Sequence, residues 1–162
     1  MGLDMYLSAR RYVRKYDYKA WDETLTDEFQ KMAATAPDDF MKYRDFTGIY
    51  ITYPIAYWRK ANAIHGWFVR NCGNNQDTCQ EMYVSTDDLR NLRAACIQVQ
   101  MRPELAEELL PPTHGFFFGN YEIDQHYMFD LRNTIDMLNH VIDQKSKMTD
   151  DFNFEMFYQA DW

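Results

Sequence analysis

Leu3, Met5 and Leu7 alternate with Asp4 and Tyr6, a period of two that predicts a first strand running towards Val13. Over residues 19–36 the spacing changes. Trp21, Leu25, Phe29, Met32 and Ala33 recur at helical intervals, and Pro37 closes the segment. Residues 48–56, GIYITYPIA, are β-branched and aromatic, and Pro54 suggests an edge position or a bulge late in that strand. A helix is expected over residues 58–71, a turn at GNNQDT and a short strand at 81–84. Ser85 is a good N-cap, and Asp87 and Asp88 suit the positive end of a helix dipole over residues 86–99. Pro103 opens a further helical segment through residue 110, which Pro111 and Pro112 break.

GFFFG at 115–119 fits a short buried strand or an extended loop. Residues 124–145 make the strongest helix, with Tyr127, Leu131, Thr134, Leu138, Val141 and Ile142 on one stripe. Phe152, Phe154, Met156 and Tyr158 alternate with polar residues as a last strand. The whole predicts an α+β fold: one domain over residues 1–162, a small, mainly antiparallel sheet packed by several helices, with the first and last strands as a candidate pair.

The length of 162 residues suits one core. Aromatics reach 17%, with 4 Trp, 12 Tyr and 11 Phe, enough either to fill an interior or to present stacking surfaces. The net charge of −8 argues against general binding to nucleic-acid backbone. It is unevenly spread: Arg10, Arg11, Arg14, Lys15 and Lys19 lie early, whereas carboxylates cluster at 22–28, 104–108 and 143–161. Those clusters are too interrupted for mimicry of DNA and read as solvated surface. No apolar run approaches the length of a spanning helix, no signal-peptide layout is visible, and three Cys make no disulfide framework, so a cytosolic chain with free thiols is expected.

Candidate chemistry concentrates in YWRKANAIHGWFV, residues 57–69. On a helix, Ala61, Asn62, His65, Phe68 and Val69 share one face. Asn62 and His65 there are either buried and hydrogen-bonded or line a cleft. Arg59 and Lys60 fall at the expected helix start, where a bound anion would offset the unfavourable charge; pairing of Arg59 with a carboxylate such as Asp130 is the alternative. Tyr127 and Asp130 share a face of the long helix, and packing of that face against the first would bring Tyr127, Asp130, Arg59 and His65 together. His65, Cys72 and Cys79 are spaced too widely for an ordinary zinc site. No nucleophile elbow or glycine-rich phosphate loop is present, and His114, His126 and His140 are isolated.

The islands MGLDMYL, AYWRKANAIHGWFV, LLPPTHGFFFG, YMFDLRNTIDML and FYQADW resemble a family of small uncharacterised proteins of tailed bacteriophages and prophages. The resemblance spreads over most of the chain and implies a phage protein in the host cytoplasm. Its recurrent polar set maps onto Tyr57, Trp58, Arg59, Lys60, Asn62, His65, Tyr127 and Asp130, the expected ligand-binding residues. Two functions are expected on this basis. One is a non-catalytic binding protein capturing a small anionic, nucleotide-like ligand such as a host-defence signal, with no cofactor or metal. The other is an inhibitor or accessory factor acting on a host protein through an acidic, aromatic-rich surface. Homo-oligomerisation is left open, and neither general nucleic-acid binding nor a membrane is expected.

Overall fold

The structure is a computed structural model and describes residues 2–16, 26–36, 47–148 and 154–162. In chain order it contains β1 (Asp4–Arg14), α1 (Asp27–Ala33), β2 (Gly48–Arg59), α2 (Asn62–Asn71), β3 (Met82–Val84), α3 (Thr86–Met101), α4 (Ala106–Leu109), α5 (Gln125–Ser146) and β4 (Glu155–Asp161). A 3-10 turn, Pro103–Leu105, leads into α4. The fold is α+β, with an antiparallel sheet of order β2-β1-β4-β3. The first and last strands are therefore neighbours, and the strand containing Pro54 lies at an edge. Across β3 and β4, Met82 faces Tyr158 and Val84 faces Met156. Among the described residues no helix is long and apolar enough to cross a membrane.

The chain divides into two compact units, Arg10–Thr52 and the remainder. In the smaller, Val13 and Phe29 are buried, with Ala33, Ala36, Ile49 and Ile51 packed on them. Thr26 caps α1: its hydroxyl oxygen accepts from Phe29 N–H at 3.2 Å and its O–H donates to the Arg14 carbonyl at 2.8 Å. Arg11, nearly buried, pairs with Glu28. Trp21, Leu25 and Pro37, expected to belong to this helix and its end, lie outside the described residues.

In the larger unit, α3 and α5 pack on one another; α3 buries Leu89, Leu92, Cys96 and Val99, and α5 buries Leu131, Thr134, Leu138 and Val141 of its predicted stripe. Both helices start as their sequences require. Ser85 and Asp88 form a reciprocal capping box, and Asp124 accepts from His126 N–H at 2.9 Å and Tyr127 N–H at 3.0 Å. The Phe68 and Tyr158 rings stack 4.0 Å apart at 12°. The inward face of the sheet supplies Met5, Leu7, Trp58, Met82, Val84 and Met156 to the same core. Trp58 carries a polar handle into it, and its Nε1–H donates to Thr134 Oγ1 at 2.9 Å, tying β2 to α5.

The strand β2 runs through Arg59, so α2 begins at Asn62, four residues later than the sequence pattern predicts. Strand alternation persists, with Ala56 and Trp58 buried and Tyr57 and Arg59 exposed. Lys60 N–H donates to the Leu3 carbonyl at 2.8 Å, and Lys60 then turns at φ +58° to end the strand. The GFFFG segment is a loop, and of its three rings only Phe118 is buried.

Thr134→Val should lower stability by about 1–3 kcal/mol, because it removes the acceptor of a buried indole N–H. In the Trp58→Phe background the same change should cost much less, as urea denaturation of the four chains would show.

Candidate functional site

Three pieces of the larger unit meet around a hollow of about 260 Å³. One wall is the β2–α2 junction, Arg59 through Ile64. A second is the end of the GFFFG loop and the residues just beyond it, with Gly119, Asn120 and Glu122. The third is the start of α5, with Asp124, His126, Tyr127, Asp130 and Leu131. The junction takes this shape because Lys60 adopts a left-handed backbone that costs a non-glycine residue about 1 kcal/mol or more. No side chain caps the first turn of α2, and no carboxylate lies in it. The opening residues of α2 thus face the hollow with the positive end of the helix.

Asn62 binds the second wall to the first. Its Nδ2 donates to the carbonyls of Phe118 at 3.2 Å and Asn120 at 2.7 Å, and its Oδ1 accepts from Thr113 N–H at 3.1 Å. All the usual capacity of the amide but one lone pair is used, on partners more than fifty residues away. Gly66, one turn on, leaves room for the same segment: a Cβ there would sit 1.9 Å from Thr113 Oγ1. Tyr127 joins the third wall by donating its hydroxyl to the Leu110 carbonyl at 2.9 Å.

The electrostatics are mixed. Arg59 is 64% exposed along its side chain, and its Nε lies 3.9 Å from Asp4 Oδ1, a loose pair. Lys60 lies against Gly2 and Gly119. Opposite stand Glu122, Asp124 and Asp130. Asp124 is held below the usual carboxylate range, first by Tyr127 N–H, with His126 N–H adding to it. Asp130 is pushed up to about 6, chiefly by burial, with His126 opposing and Asp124 adding to the rise. Among the described residues the Asp130 carboxylate has no hydrogen bond or ion pair. A half-buried acid left without a partner in a hollow marks a candidate site.

Of the residues singled out in the sequence, Arg59, Lys60, Asn62, Tyr127 and Asp130 line this hollow. The other three do not. Tyr57 is on the exposed side of β2, beside Tyr6 at 5.3 Å, and donates its hydroxyl to Asp4. Trp58 is buried in the core. His65 is fully buried one turn further along α2. Its Nε2 lies 3.0 Å from Asp77 Oδ2 and its Nδ1 2.8 Å from the Tyr158 hydroxyl. Burial and the Asp77 charge keep that hydroxyl protonated, so it donates to Nδ1 while Nε2–H donates to Asp77. Asp77 Oδ1 is buried without a partner among the described residues. His65 therefore braces α2 against β4 and the turn after α2. His114 stacks on Tyr121 at 4.1 Å, away from the hollow.

Glu122, Asp124 and His126 were not singled out for this site by sequence pattern. The capping signal of Asp124 was the available clue, since it fixes residues 120–124 beside Tyr127 and Asp130. Among the described residues no group of His, Cys, Asp and Glu is placed to hold a metal ion. No family model, curated protein or solved structure matches the chain.

This geometry has two measurable outcomes. Asn62→Ala should cost about 2–3 kcal/mol and speed amide exchange at Thr113, because three backbone groups lose their partner. Asp130→Asn should raise the melting temperature by about 2 °C at pH 8. The folded carboxyl holds its proton more tightly than its ordinary value near 3.8 allows, so its ionisation opposes folding fully above about pH 6. That gain should shrink as pH falls and vanish below the ordinary carboxylate range, which melts across pH would record.

Proposed function

We propose that the chain is a non-catalytic binding protein whose hollow takes a small nucleotide-like ligand with an anionic group at one end and hydrogen-bond donors at the other. The observation that carries this reading is the opposition, within one hollow, of Arg59 and Lys60 to an unpartnered Asp130. A phosphate group suits the guanidinium, the ammonium and the start of α2. Amino groups of a base suit the Asp130 carboxylate, as a carboxylate accepts from such donors. An anion without donors would meet three carboxylates against two cations, so simple anion capture is the weaker fit. The volume lies just under the range of about 300–1,000 Å³ usual for ligand clefts, which favours a mononucleotide over larger species.

The resemblance to phage proteins gives this binding a context: sequestration of a nucleotide signal in the cytoplasm of an infected host. The strained Lys60 and the uncapped helix start support the same reading, since neither favours folding and both face the hollow.

Titration calorimetry with the four common nucleoside monophosphates, and inorganic phosphate as reference, tests the proposal. At least one nucleotide should bind more tightly than phosphate. Its affinity should fall about tenfold in Arg59→Ala and in Asp130→Asn, the scale of a lost charge-assisted hydrogen bond. Affinity should rise with pH through about 6, as Asp130 ionises, and level off above. Lys60→Gly should bind less well yet be more stable by about 1 kcal/mol, because glycine relieves the left-handed backbone. Absence of nucleotide binding at millimolar concentration, or equal binding by all variants, would defeat the reading.

A further inference from the structure

The loop that closes one wall of the hollow also carries two rings turned away from the interior. Phe116 is 77% exposed and Phe117 44% exposed, and their rings meet edge to face at 4.2 Å. Phe117 has a backbone φ of +68°, a left-handed conformation that a bulky residue adopts only when its surroundings impose it. The surroundings here are a rigid frame. Phe118 is buried edge-on against His65 at 5.1 Å and Trp162 at 5.8 Å. Asn62 holds the carbonyls of Phe118 and Asn120, and the Tyr121 hydroxyl donates to the Gly115 carbonyl at 2.8 Å. Fixed on both sides, the chain reverses at Phe117 and projects both rings into water. Exposed apolar area and backbone strain each oppose folding.

The segment that carries this loop is acidic, although Lys60 of the β2–α2 junction packs against Gly119. Residues 103–131 contain Glu104, Glu107, Glu108, Glu122, Asp124 and Asp130 and no Lys or Arg. The four glutamates are exposed. We infer that the Phe116–Phe117 pair is the anchor of a protein–protein interface, seated in an apolar pocket of a different protein that is rimmed by lysine and arginine. Paired aromatic side chains on a rigid support, in a segment whose own charges are of one sign, are the make-up of an interface hot spot and its rim. A second copy of this chain fits poorly, because it would present the same carboxylates and the same net charge of −8. An anionic bilayer repels this surface for the same reason. The inference does not depend on the hollow being occupied.

The test uses the full chain with Phe116 replaced by photoreactive p-benzoylphenylalanine, irradiated in a lysate of the organism that encodes it. The protein cross-linked there is then purified and titrated against the wild type, Phe116→Ser and Phe117→Gly. The inference expects a discrete heterologous partner that binds the wild type. Phe116→Ser should weaken binding at least about tenfold, the scale of a hot-spot truncation. Binding should also weaken with added salt, because its rim is charged. Phe117→Gly, which relieves the backbone strain, should melt no lower than the wild type yet bind less well, separating recognition from folding. Several results would overturn the inference: no cross-link above that of a buried control position, a cross-link only between copies, equal affinity for the three chains, or a salt-independent complex. Phe116-dependent sedimentation with phosphatidylcholine–phosphatidylglycerol vesicles would overturn it in favour of a membrane.

Discussion

One side-chain amide holds two walls of the hollow in register. Asn62 stands at the first turn of α2 and saturates backbone groups of Thr113, Phe118 and Asn120. The segment it grips has no regular ladder of its own, so Asn62 supplies partners that its backbone lacks. Two other polar contacts reach into the core from the same region: Trp58 to Thr134, and Tyr127 to the Leu110 carbonyl. Together they lock strand end, loop and long helix around one space. The hollow is thus a product of hydrogen-bond satisfaction in the core, and its shape is as rigid as those bonds.

Most of the regular structure was legible because period and punctuation agreed. The stripe of α5, the N-cap at Ser85 and the alternation in β1 and β4 all point one way. The junction at residues 58–61 was not legible. Trp58 and Ala61 suit either a strand or a helix, and nothing in the identity of Lys60 announces a left-handed turn. The candidate site divides along the same line. Arg59, Lys60 and Asn62 adjoin in sequence, Tyr127 and Asp130 are three apart on one helix, and all five reach the hollow. His65 shares the face of Asn62 but lies one turn deeper, where Asp77 and Tyr158 enclose it. Partners such as Asp77, and loop residues such as Gly119 and Glu122, come from segments without periodicity, so pattern could not place them.

Several features that oppose folding border the hollow or its loop. A strained lysine, an uncapped helix start, an unpartnered Asp130 and a phenylalanine in left-handed backbone all belong to the β2–α2 junction, the GFFFG loop or the start of α5. The turn after α2 carries others: Asn74, Asn75 and Cys79 also have left-handed backbone, and Asp77 Oδ1 is buried without a partner among the described residues.

The order of the sheet has a consequence for the behaviour of the protein at high concentration. Its two outer strands are β2, which carries Pro54, and β3, only three residues long. A proline offers no N–H to an incoming chain, and a three-residue margin templates almost nothing. Edge-to-edge growth into fibrils is therefore discouraged along both borders, despite a composition rich in tyrosine and phenylalanine.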